Sequence, residues 1–162
     1  MTRIMGAPTE VKVVNVRLVK EPSLYSTEPI QTPQDVLEVV AKELATYDRE
    51  VFAILNLKSN GQIINMNICS VGTLNASMVR PADCFKGSIL SNASKLVAVH
   101  NHPSGNTQPS QEDMEVTKRL AAAGELLNIE LLDHIIVGGG TGEIFSFRSE
   151  GLLDRNARDM ER

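Results

Sequence analysis

The chain has no tryptophan, and aromatic residues make up only 4% of its 162 residues. That leaves no row of rings on which single-stranded nucleic acid could stack. Positive charge is scarce too: 16 Lys and Arg stand against 20 Asp and Glu, for a formal net charge of −4. No basic run exceeds a pair such as Lys118-Arg119. A sequence-independent grip on a phosphate backbone is therefore not advertised, and the sequence carries no clear nucleic-acid-binding signal, which demotes a nucleic-acid role without excluding it. Cysteine occurs twice, as Cys69 and Cys84, without CxxC spacing and with no further pair to complete a cysteine zinc site. Reduced, buried thiols are expected. No segment approaches the roughly 18 apolar residues of a membrane span, and the opening residues lack the apolar core of a signal peptide. The expectation is a cytoplasmic protein with no membrane partner.

What is present is a chain that is 42% hydrophobic, long enough for one domain with a real core and too short for two. The expected division is a loose terminus over residues 1–9, one domain over 10–153 and a polar tail over 154–162. Alternating apolar residues predict a strand over Val11–Val19. Thr32-Pro33-Gln34-Asp35 reads as a helix start with Thr32 as cap, and the stripe Val36, Leu37, Val40, Leu44 and Tyr47 predicts a helix ending near Tyr47. Val51–Leu57 and Gln62–Val71 flank the turn Ser59-Asn60-Gly61 and read as a hairpin. Then come a helix over Pro81–Leu90, a strand from Lys95, a helix from Ser110, and strands over Leu131–Val137 and Glu143–Phe147. Interleaved helices and strands imply a single sheet with helices on its faces.

The chemistry is concentrated in His100-Asn101-His102-Pro103-Ser104-Gly105, with Ser110 and Asp113 downstream. Side chains alternate along a strand, so His100 and His102 share a face. Asp113 lies in the first turn of the following helix, from which it can swing toward the strand end. Two imidazoles and one carboxylate make a three-ligand shell with a fourth position for water, the pattern of catalytic zinc. The same set describes the facial triad of non-haem iron oxygenases, which makes iron the rival metal.

Each part also has a structural reading. Ser-x-x-Asp before a helix is a capping arrangement worth about 0.5–2 kcal/mol at the serine. The two roles are compatible, because a capped start fixes the loop from which Asp113 reaches. His134, inside Leu131-Leu132-Asp133-His134-Ile135-Ile136-Val137, reads as a buried, hydrogen-bonded histidine; support of the metal ligands by Asp133 or His134 is the lesser alternative. Gly138–Gly142 resembles a phosphate loop in composition, but a strand rather than a helix follows, so it reads as a hairpin connection. Ser104 and Asn101 border the site, either as turn formers or as groups that orient ligands or substrate.

His-x-His, seven residues, Ser, two residues and Asp, with Glu50 available upstream, resembles the JAMM motif of the JAB/MPN metalloprotease family. The runs HNHPSGNTQPSQED, LLDHIIVGG and FSFRSEGLL are closest to its RadC-like bacterial branch, and the likeness extends over residues 32–153. Longer members carry an N-terminal helical segment, for which this chain is expected to have no room. The resemblance implies a three-layer α/β domain, a mixed β-sheet flanked by helices in a cytidine-deaminase-like architecture. It also implies zinc (Zn2+) on His100, His102 and Asp113, Glu50 as general base and Ser110 assisting the oxyanion. The implied activity is a metallopeptidase or isopeptidase acting on a peptide or protein substrate; a homo-oligomer is compatible with it. A deaminase proper pairs H-x-E with P-C-x-x-C, and this chain has neither. Two rivals attach to the resemblance. A DNA-repair role would call for a basic patch or helix-hairpin-helix, and a non-catalytic scaffold would be expected to lose metal ligands. The sequence shows neither sign.

Overall fold

The structure, a computed structural model, describes residues 29–44, 47–72 and 79–153 together with Leu18. The expected strand over Val11–Val19 thus lies outside the described residues except for Leu18, as do the two expected tails. In chain order the elements are α1 (Pro33–Leu44), β1 (Val51–Leu57), β2 (Ile63–Val71), α2 (Pro81–Leu90), β3 (Lys95–His102), α3 (Gln111–Leu127), β4 (Glu130–Gly138) and β5 (Ile144–Ser146). The five strands form one sheet in the order β2-β1-β3-β4-β5. β1 runs antiparallel to β2 and β3, β3 parallel to β4, and β4 antiparallel to β5. The sheet is therefore mixed, and α3 is the crossover that a parallel pair requires.

Alternation along the central strands sorts their apolar side chains into two cores. Val51, Leu55, Val97, Val99, Ile135 and Val137 face α1, where Val36, Val40 and Leu44 bury their stripe. Phe52, Ile54, Leu96, Ala98 and Leu131 face the other way, against Cys84 and Phe85 of α2 and Val116 and Leu120 of α3. A layer of helix on each face of a sheet whose central strands are buried is the α/β arrangement expected.

Local signals act as read. The Thr32 backbone N–H donates to Asp35 at 2.7 Å while Asp35 N–H donates to the Thr32 hydroxyl at 3.3 Å, a reciprocal cap at the start of α1. α1 is described as far as Leu44, residues 45–46 lie outside the described residues, and Tyr47, no longer helical, packs its ring on the same core and donates its N–H to the Leu44 carbonyl. β5 is shorter than expected: the Phe147 N–H still donates to the His134 carbonyl at 3.0 Å in register with β4, but Phe147 already belongs to a turn, closed by Glu150 N–H on the Ser146 carbonyl and Leu152 N–H on the Phe147 carbonyl. Cys84 is buried and Cys69 half-buried, and both are free thiols. Among the described residues no helix is long and apolar enough to cross a membrane.

Candidate metal centre

The site lies where the central strand ends. β1 pairs with β3 through Phe52 opposite His100, and the ladder stops there. Beyond it the strands are held by a side chain: Asn101 Oδ1 accepts from Val51 N–H at 2.7 Å and Asn101 Nδ2 donates to the Arg49 carbonyl at 3.0 Å. The Asn101 carboxamide thereby takes the place of a peptide group and grips the backbone on both sides of Glu50. Glu50 lies between the two gripped residues, two positions before Phe52 and just past the end of the β1–β3 ladder. Asn101 thus ties β3 to the backbone on either side of Glu50 rather than forming a turn.

His100 is fully buried, with its ring tilted 27° to that of Phe52 at a centroid distance of 5.8 Å. His102 is half-buried and its Nδ1 lies 2.7 Å from the Asn106 carbonyl, which can only accept, so the ring proton sits on Nδ1 and Nε2 keeps its lone pair. Asp113 comes from the first turn of α3. Its Oδ2 accepts from Ser110 N–H at 2.8 Å while Ser110 Oγ accepts from Asp113 N–H at 3.1 Å, the reciprocal capping box expected for this helix. Ser110 itself is exposed.

Three donor atoms converge. His100 Nε2 is 2.9 Å from His102 Nε2, and Asp113 Oδ1 and Oδ2 lie 3.1 Å from His100 Nε2 and 3.4 Å from His102 Nε2. Among the described residues these are the group whose ligand atoms are mutually close enough to hold a metal ion, all within 4.8 Å. Bonds of about 2.0–2.1 Å in a tetrahedral shell separate ligand atoms by about 3.3 Å, so the donor set fits a small divalent cation. Nε2 lone pairs pointed at each other and at a carboxylate need a cation, proton or metal, between them.

The electrostatics agree. Burial opposes ionisation of Asp113, but a proton placed on the ring nitrogens that face it, in the position a metal ion would take, makes hydrogen bonds from His100 and His102 that outweigh burial and hold the carboxyl well below the usual carboxylate range. The hydrogen bond with Asp113 raises the His102 pKa above the ordinary imidazole value against the pull of burial, and the charges of Asp113 and Glu50 add to it. Glu50 is therefore within electrostatic reach of His102.

Behind the ligands stands a layer of support. His134 is fully buried, stacked on Phe147 at a centroid distance of 4.6 Å, with Nε2 2.8 Å from His100 Nδ1 and Nδ1 2.6 Å from Thr117 Oγ1. Burial first, and the neighbouring His100 second, hold its pKa well below the ordinary imidazole value. Asp133, its neighbour in the chain, points to the opposite face and takes no part. Thr117 went unread in the sequence; its signal was its place four residues after Asp113, one turn along the same helix face. The Gly138–Gly142 run is a hairpin connection that also seats the site: Gly139 N–H donates to the His102 carbonyl at 2.9 Å, and a Cβ on Gly139 would lie 3.0 Å from Pro103 Cα.

Comparison with known proteins gives a consistent picture. The profile of the RadC-like JAB domain matches residues 30–152. A UPF0758 protein of Desulforamulus reducens is 44% identical over 151 residues, 93% of this chain and 59% of the relative. UPF0758 proteins of Halalkalibacterium halodurans and Desulfitobacterium hafniense are 45% and 40% identical, each over 124 residues and 76% of this chain. The chain spans little more than half the length of these relatives, 53–59%.

Proposed function

We propose, since the chain belongs to the RadC-like JAB domain family, that it is a zinc-dependent metallohydrolase cleaving a peptide or isopeptide bond in a peptide or protein substrate. The observation that carries this reading is the convergence of His100 Nε2, His102 Nε2 and an Asp113 carboxylate oxygen within 4.8 Å, with Glu50 near enough for its charge to act on His102. Zinc held by these three side chains supplies Lewis acidity and makes a water acidic near neutral pH.

The chain's own residues supply the remaining steps. Glu50 accepts the proton of the attacking water and passes it to the leaving amine, which asks for a carboxylate held close and at a fixed height. The Asn101 grip on residues 49 and 51 provides that height. Ser110 accepts from Asp113 N–H, and a hydroxyl that accepts there still has its own proton to give to the oxyanion. His102 and Ser110 lie toward solvent while His100 and Asp113 are buried, so a substrate carbonyl approaches from the His102 side.

The test has two stages. Elemental analysis of the protein purified without chelator should find close to one zinc per chain; no transition metal, or iron in its place, overturns the zinc assignment. A cleavage screen with unbiased peptide libraries and isopeptide-linked conjugates should then give products that disappear in Glu50→Gln. Zinc at full occupancy with no cleavage of either class would favour a non-catalytic member of the family.

A further inference from the structure

Three side chains, His100, His134 and Thr117, and the Asp113 backbone carbonyl form a hydrogen bond chain with a direction. The Thr117 hydroxyl has one proton and donates it to the Asp113 carbonyl at 2.7 Å, an oxygen that can only accept. Toward His134 Nδ1, 2.6 Å away, Thr117 Oγ1 must therefore be the acceptor, and His134 carries its proton on Nδ1. His134 is wholly buried, its ring packed between Phe52 and Phe147, and its two hydrogen bonds go to a hydroxyl and an imidazole rather than to a carboxylate. A ring so placed keeps a single proton, already committed to Thr117. Its Nε2 accordingly accepts from His100 Nδ1 across 2.8 Å.

We infer that Thr117 and His134 are positioning residues: the one-way chain His100 to His134 to Thr117 to the Asp113 carbonyl fixes His100 with its proton on Nδ1 and its lone pair on Nε2. The inference rests on the reading of His100 as a metal ligand and adds what selects its binding form. A competing arrangement exists in the same geometry. Asp113 Oδ1, 3.1 Å from His100 Nε2, would draw the proton onto Nε2 and close the site to a metal. The buried chain opposes that, and it starts from the backbone of Asp113 itself, so one turn of α3 supplies both a ligand and the anchor of the relay. His102 reaches the same tautomer more simply, through the Asn106 carbonyl. Outer partners of metal-bound histidines typically change affinity by about 10–100-fold.

The test compares wild type, Thr117→Val and Thr117→Ser. Val keeps the shape and loses the hydroxyl; Ser restores the hydroxyl without the methyl. Zinc affinity, measured by competition with a chromophoric chelator, should fall about 10-fold or more in Thr117→Val and return to within about 2-fold of wild type in Thr117→Ser. Nitrogen-15 spectra of the metal-free proteins should show the His100 proton on Nδ1 in wild type and Ser, and a mixture of tautomers in Val. Wild-type affinity together with a wild-type His100 tautomer in Thr117→Val would overturn the inference. If Thr117→Val does not fold, the wild-type spectrum decides alone: a proton on His100 Nε2 refutes the chain and a proton on Nδ1 supports it. A wild type that binds no zinc yet shows His100 protonated on Nδ1 would fault the metal reading and leave the relay standing.

Discussion

Among the described residues two aspartates are buried, Asp113 at 1% exposure and Asp133 at 5%, and they belong to opposite faces of the sheet and to opposite kinds of site. Asp133 accepts from three ordinary donors: the Ser146 hydroxyl at 2.5 Å, His134 N–H at 2.7 Å and Arg148 N–H at 3.0 Å. Each donor belongs to β4 or to the segment that returns beside it, so the carboxylate ties the end of the sheet together. Even so, burial pushes its pKa up, and the three hydrogen bonds only partly counter this. Asp113 accepts Ser110 N–H and otherwise looks at two imidazole nitrogens, one of which, on His102, has its proton committed elsewhere. The difference lies in what the neighbours can give. A buried carboxylate surrounded by N–H and O–H groups is a structural knot; one surrounded by lone pairs asks for a cation.

The largest expected effect is on metal. His100→Ala or His102→Ala should strip zinc to below stoichiometric levels, whereas Asp133→Asn should leave metal content at the wild-type value. Elemental analysis of the three proteins checks this, and metal loss in Asp133→Asn would erase the contrast between the two aspartates. Next in size is the effect on rate. Glu50→Gln cannot take a proton from water, so hydrolysis should fall by about 10²–10⁴-fold while zinc stays bound. Loss of zinc in that variant would make Glu50 a ligand instead, and unchanged turnover would remove it from the mechanism.

Much of this contrast was legible before any coordinates. His-x-His at a strand end and Ser-x-x-Asp at a helix start are local patterns, and local patterns fix which residues share a face or a turn. The elements between residues 33 and 147 were legible for the same reason, with boundaries shifted by a few residues where chain ends turn back into loops. What stayed hidden depends on register between distant strands. Asn101 grips a backbone 50 residues away, and His134 meets His100 across 34 residues of sequence. The neighbours Asp133 and His134 carry no mark saying that one serves the sheet and the other the site. Only the strand's alternation, once β4 is seated beside β3, assigns them to opposite faces. Thr117 was hidden differently: a helix-interior threonine is ordinary until its hydroxyl is seen between a carbonyl and an imidazole.

The Asp133 side of the comparison is sharpened by stability and its pH dependence. Asp133→Ala leaves buried donors without an acceptor and should cost about 1–3 kcal/mol in urea unfolding, with zinc unaffected. Asp133→Asn isolates the charge. Because burial raises the Asp133 pKa in the folded state, the wild type loses stability as pH rises from the unfolded carboxylate value, about 4, through the folded one, and keeps that loss above it. The asparagine variant has no such loss. Its cost relative to wild type should therefore be greatest at acid pH and shrink toward neutrality. A cost that grows with pH would mean that the three hydrogen bonds outweigh burial, and that Asp133 is a stabilised carboxylate like Asp113.

The smallest effect on stability separates the two roles that meet in Ser110. As cap it accepts from Asp113 N–H at 3.1 Å, and Ser110→Ala should cost about 0.5–2 kcal/mol of stability. Asparagine caps about as well as serine, so Ser110→Asn should recover most of that loss. It should not recover turnover if the hydroxyl donates to the oxyanion, because a carboxamide at that position lacks the proton at the right place; one lost oxyanion donor raises the barrier by about 2.7–4 kcal/mol. Thermal melts and rates on the same three proteins decide between the roles. If rate follows stability from Ala to Asn, Ser110 acts only by holding the first turn of α3, and Asp113 with it. If stability returns while rate does not, the exposed hydroxyl has a chemical task of its own.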